Sequence, residues 1–110
     1  MILHDNTWSW GRALTIVLAD GKAMCRVSID KEDGRAWLDN IIVHESIRRR
    51  NYGTRLLGHA YKQAKKLGCD ALWLFVDAPE SVKDWYERNG YVFQHYDEDG
   101  MPVMMKKIRK

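Results

Sequence analysis

The chain has no apolar run approaching the roughly 20 residues that a bilayer-spanning helix needs. Its opening stretch, MILHDNTWSW, lacks the basic-then-apolar layout of a signal peptide. These two absences speak against a membrane protein and give the expectation of a cytoplasmic one. Only two cysteines occur, Cys25 in a strand pattern and Cys69 after a helix. They have neither metal nor redox spacing, so reduced thiols are expected rather than a disulfide, and no metal site is expected. Excess charge is scarce as well: a net +3 is too mild to imply nucleic acid. Internal repeats, linkers and low-complexity segments are missing. What is present, 45% hydrophobic and 30% charged residues in 110 positions, suits one soluble domain spanning residues 1–110, with a single core.

The N-terminal stretch to Gly11 is the least readable; Trp8 and Trp10 alternate with Ser9 and begin an edge strand or cap an open core face. From Ala13 the alternation is cleaner, with Leu14, Ile16 and Leu18 on one side and Asp20-Gly21 as a hairpin turn. The return strand puts Ala23, Cys25, Val27 and Ile29 on one face. Lys31 to Gly34 is a second turn, and Arg35 to Val43 completes an antiparallel meander. Tyr52, Leu56, Leu57, Ala60, Ala64 and Leu67 then recur at helical spacing, with Lys65 and Lys66 in the last turn and Gly68 as the stop. Ala71 to Val76 (ALWLFV) is apolar on both faces, which suits a central strand with helices on either side. Strand, crossover helix and buried strand imply a parallel pair. Asp77-Ala78-Pro79-Glu80 reads as a helix start, with the helix running to about Arg88 and ending at Asn89-Gly90. Tyr91 to Tyr96 and Met101 to Ile108 form a final hairpin.

The chain is organised around Leu38 to Leu57 (LDNIIVHESIRRRNYGTRLL), an apolar strand that ends in a cationic turn and passes into a helix. A helix start leaves its first N–H groups unpaired and carries the positive end of the dipole, so it attracts phosphate. Arg48, Arg49 and Arg50 add fixed positive charge just before that start. Asn51 and Gly53 are residue types that tolerate positive φ and allow a ligand close to the backbone. Taken alone, the same features describe a solvated basic loop before an ordinary helix.

The run RRRNYG resembles the acetyl-CoA motif of the GCN5-related N-acetyltransferases, the GNAT superfamily, written Q/R-x-x-G-x-G/A. Arg48 matches the first position and Gly53 the last, and Asn51 stands where the middle glycine is usual. Val43, five residues before Arg48, falls where that family's preceding strand ends. A second segment, DWYERNGYV from Asp84 to Val92, is similar to the family's FYEKLGF, with Trp85-Tyr86 for Phe-Tyr and Asn89-Gly90-Tyr91 for Leu-Gly-Phe. The resemblance implies an α/β (α+β) fold: a mixed, mostly antiparallel sheet of about six strands with two main helices, ordered β-β-β-α-β-α-β-β. It implies acetyl-CoA as cosubstrate, held by Ile41, Ile42, Val43, Arg48, Arg49, Arg50, Asn51, Tyr52, Gly53 and Thr54. An asparagine common near the start of the second helix is absent; Pro79 stands about there.

The implied reaction is direct attack of a neutral amine on the acetyl thioester, which needs backbone N–H groups for the carbonyl oxygen and a base for the nitrogen. Tyr86 is implied as the acid that protonates the departing CoA thiolate; read as a lone residue, it is an amphipathic ring packed under the sheet. Where the family uses a strand carboxylate as base, Asp39 is the candidate, two residues before Ile41 and expected on the same face as Ile41 and Val43. His44 is a second candidate base. The acidic turn Asp97-Glu98-Asp99 borders the acceptor side in such folds and attracts a cationic amine; by itself it is a polar hairpin turn. Trp73 is expected in the core, and Trp8, Trp10, Trp37 and Trp85 on an acceptor wall or a dimer surface. About a dozen residues precede the first clear strand, so the acceptor side is expected to be open, suited to a protein lysine, a chain terminus or another exposed amine, or roofed by a second copy. Two classes stay open: an N-acetyltransferase, or an idle module of the same fold that binds a protein or an anionic polymer.

Overall fold

The computed structural model describes residues 1–77 and 80–109. Its elements are β1 (Ile2–Trp8), β2 (Gly11–Leu18), β3 (Ala23–Asp30), β4 (Ala36–Val43), α1 (Tyr52–Lys66), β5 (Ala71–Phe75), α2 (Glu80–Arg88), β6 (Val92–Tyr96) and β7 (Pro102–Lys107). The strands form one sheet in the order β1-β2-β3-β4-β5-β7-β6. Every neighbouring pair is antiparallel except β4 and β5. The expected mixed α/β fold is present, with seven strands in place of about six. The added one is β1, an edge strand whose residues are all exposed, so burial leaves no alternation to read there.

Elsewhere the pattern does what it promises. Leu14, Ile16 and Leu18 of β2 and Ala23, Cys25 and Val27 of β3 are buried on one face. Leu56, Leu57, Ala60 and Ala64 of α1, a stripe at helical spacing, share one core cluster with all of these but Leu14. The helix stops where Gly68 takes φ 77°, which lets the Gly68 and Cys69 amides bond back to the carbonyls of Lys65 and Ala64 at 3.0 and 3.1 Å. Ala78 and Pro79 of the expected second helix start lie outside the described residues; α2 itself runs from Glu80 to Arg88.

Both helices lie on the same face, because Trp85 of α2 fits over Gly53 of α1 and Tyr86 joins the α1 core. The expectation of helices on both sides of Ala71 to Val76 is therefore corrected. Among the described residues no helix covers the other face. The apolar residues there, including Trp73, pack ring on ring instead. Trp37 stacks on Phe75 at 4.7 Å and 10°, and it meets Trp73 at 5.8 Å. The Arg35 guanidinium sits 4.2 Å over Trp73.

Two irregularities in β4 set up the site. Met24 pairs with Ile42 but Arg26 pairs with Asp39, so β4 carries one residue more than β3 at this point. Asn40 absorbs it with φ 52°. Parallel pairing of β4 with β5, in turn, covers only Ala36 with Leu72 and Trp37 with Trp73, after which the strands part.

Cys25 and Cys69 are unpaired and buried. Burial first, and the Asp39 charge second, raise the Cys25 thiol from 9.0 to about 12. In the unfolded chain this thiol ionises near 9; the folded chain keeps its proton up to about 12. Between those values the native state holds more protons, so its stability is intact below pH 9 and falls as pH rises, by about 1.4 kcal/mol per pH unit for one group. Urea unfolding across pH 8 to 12 is expected to show this decline, and a Cys25→Ala variant is expected to show a shallower one.

Candidate active site

The parting of β4 and β5 opens a cavity of about 720 Å³. From β4 it is lined by Asp39, Ile41 and Val43, from the turn and the start of α1 by Arg48, Arg49, Asn51, Tyr52, Gly53 and Thr54, and from α2 by Tyr86. The structure thus gathers most of the residues singled out in the sequence. Two are not among the lining residues: Ile42, which is 55% exposed, and Arg50, exposed on the turn.

The turn before α1 is built from alternating left-handed residues. Asn51 has φ 62°, as its type allows, and Arg49 has φ 67°, which nothing in its type announces. Arg48 folds back so that its Nε donates to the Val43 carbonyl at 3.1 Å, tying the turn to the end of β4. Gly53, by contrast, lies inside the helix without positive φ. Its missing side chain serves packing: a Cβ there would stand 3.2 Å from the Trp85 ring.

Asn51 makes no side-chain cap, and the first intrahelical bond runs from the Arg55 amide to the Asn51 carbonyl at 3.0 Å. The amides of Tyr52, Gly53 and Thr54 are left without intrahelical partners, and the first turn carries no acid. An uncapped, positive helix end therefore borders the cavity, an arrangement suited to a phosphate.

Tyr86 is 9% exposed and also lines the cavity. Its ring packs against Trp85 at 5.0 Å and Tyr91 at 5.7 Å. Burial, and secondarily the Cys25 charge, raise its phenol above the usual 10, which keeps it protonated at neutral pH. Packing and proton donation are compatible here: the ring is core and the group still reaches the cavity wall.

The bases fare differently. The bulge at Asn40 reverses the alternation of β4: Leu38 is buried and Ile41 and Val43 pack on the core, while Asp39 turns the other way. Its carboxylate accepts from Arg26 Nε at 2.9 Å, from Arg26 Nη2 at 3.3 Å and from Ser28 Oγ at 3.4 Å. The expectation that Asp39 shares a face with Ile41 and Val43 is corrected, although Asp39 does border the cavity. His44 is not among the lining residues; its Nδ1 accepts from the Ser46 amide at 3.1 Å and caps a short turn. Asp97 caps its own hairpin, accepting from the Asp99 and Met101 amides, and none of the three acids of that turn lines the cavity.

Sequence reasoning missed Phe75, Asp77 and Val82, which also line the cavity. Val82 is one helical turn before Tyr86, and that spacing was a usable signal. In sequence Asp77 reads only as a helix cap. Among the described residues it has no ion-pair partner, and no group of three His, Cys, Asp or Glu side chains there is arranged to hold a metal.

The model of the acetyltransferase (GNAT) family matches residues 3–91 of this chain. The chain belongs to the GNAT family. Solved structures of similar shape agree on the fold. GCN5 of Tetrahymena has a TM-score of 0.73 at 18% identity, over 93% of this chain and 71% of that one. An Escherichia coli N-acetyltransferase for an alanine of a ribosomal protein has a TM-score of 0.70 at 21% identity, over 94% and 73%. The PaiA N-acetyltransferase of Thermoplasma acidophilum, solved with coenzyme A, has a TM-score of 0.70 at 26% identity, over 86% and 59%. No curated protein matches the chain. Membership of the GNAT family makes acyl transfer from a CoA thioester the general activity of this fold.

The Arg48 tie to Val43 is a bond from a charged donor, the stronger kind. Arg48→Ala is expected to speed amide exchange over residues 49–54 by about tenfold with little change in Tm. Unchanged exchange in that segment would show that the turn holds itself.

Proposed function

We propose that this protein is an acetyl-CoA-dependent N-acetyltransferase acting on an exposed amine, in the cytoplasm. What carries this reading is that an uncapped helix start and a protonated phenol border one cavity, at the point where two parallel strands part. The Tyr52, Gly53 and Thr54 amides, with Arg48 and Arg49 beside them, suit the pyrophosphate of acetyl-CoA. The opening between β4 and β5 suits its thioester arm, with Ile41 and Val43 as an apolar wall. Tyr86 serves as the acid that protonates the departing thiolate. The proton of the amine goes to Asp77 or to water, since the Asp39 carboxylate is already held by Arg26 and Ser28.

The acceptor reads best as a large or surface-borne amine, such as a protein lysine or a chain terminus. The face beside the cavity is uncovered by helices among the described residues, and the 46% exposed Phe75, stacked on Trp37, forms a flat wall at its edge. Aromatic faces attract an ammonium group. A second copy of the chain is the natural cover for this face if the protein pairs.

Calorimetric titration with acetyl-CoA is expected to give saturable one-to-one binding, weakened about tenfold or more in Arg48→Ala. An absence of binding at millimolar ligand, or binding with the steep salt dependence of a polyanion site, would exclude the enzyme reading. Tyr86→Phe is expected to lower kcat by about 10² with KM for acetyl-CoA unchanged. Because the Tyr86 proton is held above the usual 10, kcat is expected to show no alkaline fall below pH 10. A falling limb at pH 8 to 9 that disappears in Tyr86→Phe would contradict the raised phenol, and wild-type kcat in Tyr86→Phe would contradict the acid assignment.

A further inference from the structure

Tyr91 directly follows the turn that ends α2. Its amide donates to the Tyr86 carbonyl at 3.1 Å, and its ring stands edge-on to the Tyr86 ring at 5.7 Å and 70°. The residue is 2% exposed, and its hydroxyl is the one buried side-chain polar atom without a hydrogen-bond partner among the described residues. Such a group forfeits its hydration for nothing, whereas phenylalanine in the same space would not. The hydroxyl is therefore the feature to explain.

The groups around it narrow the explanation. The titratable side chains whose charge bears on Tyr91 are Tyr86 from α2 and Cys25 from β3. Cys25 keeps its proton to about 12, and its Sγ faces the Leu56 carbonyl at 3.9 Å. Tyr86 is the neighbour that changes charge during the reaction proposed above.

We propose that the Tyr91 hydroxyl is a reserve donor for Tyr86, unpaired in the resting protein and hydrogen-bonded, directly or through one water, to the Tyr86 phenolate once it forms. This rests on Tyr86 being the acid. As the thiolate leaves, the Tyr86 O–H bond breaks and an S–H bond forms, and the electron pair of the broken bond stays on the phenolate oxygen. Solvent returns the proton that the acceptor amine released. Tyr91 touches neither substrate; it is a positioning residue that makes the spent acid less costly to form in a dry site. The orphan hydroxyl of the resting state is the counterpart of a satisfied one in the charged state.

The test compares wild type, Tyr91→Phe, Tyr86→Phe and the double variant, with acetyl-CoA and a lysine-containing peptide as probes and release of the CoA thiol as readout. Tyr91→Phe is expected to lower kcat about 10-fold or more with KM for acetyl-CoA unchanged and Tm equal or higher, since it removes an unsatisfied buried group. In the Tyr86→Phe background the same change is expected to have no further effect on kcat. Wild-type kcat in Tyr91→Phe, or the same loss in both backgrounds, overturns the reserve donor and leaves the acid assignment standing. Wild-type kcat in Tyr86→Phe overturns both. A second arm needs no acceptor: the Tyr86 ring carbon resonance, followed in labelled protein as pH rises, is expected to begin titrating at higher pH in Tyr91→Phe than in wild type. An unchanged or earlier onset overturns the proposal.

Discussion

β4 and β5 hold each other as parallel neighbours through only two residue pairs, and every feature of the site follows from their release beyond Trp37 and Trp73. The gap frees the end of β4 to carry a bulge, brings Arg48, Arg49 and Asn51 of the turn against the opening, and gives α2 room to place Tyr86 at the cavity. Closing the gap by continued pairing would fill the cavity with sheet. On the helical face Ile47, Trp85 and Tyr86 line the cavity and pack with the same core as Leu56 and Leu74.

The sheet divides its two faces between stability and access. One face is covered by α1 and α2 and holds the aliphatic core. The other carries stacked rings and the Arg26–Asp39 pair, both open to solvent in part. An exposed ion pair of this kind adds little to stability. Its effect at this place is to fix the Asp39 carboxylate against Arg26 and Ser28.

Much of this architecture was legible because burial and alternation agree over β2, β3 and α1, where one face meets a core and the other meets water. β1 was not legible, since an edge strand exposed on every residue has no face for the pattern to report. The Arg48 to Gly53 turn was legible in its location, and Asn51 in its backbone conformation, yet Arg49 has the same conformation with no sequence signal. Asp39 shows the deeper limit. Side chains alternate only while the strand stays regular, and a single extra residue at Asn40, itself unremarkable in sequence, turns the carboxylate to the other face. Asp77 and Phe75 were hidden for a different reason: they reach the cavity only because the strand beside them departs.

Gly53 has a wider consequence. Trp85 occupies the space that any side chain at position 53 would take, with ring atoms 3.2 and 3.4 Å from it. Two segments that lie 32 positions apart in the chain, one at the start of α1 and one near the end of α2, therefore share a single fixed volume. Within a lineage of such chains, bulk gained at one of these two positions has to be surrendered at the other, so their sizes should drift in opposition.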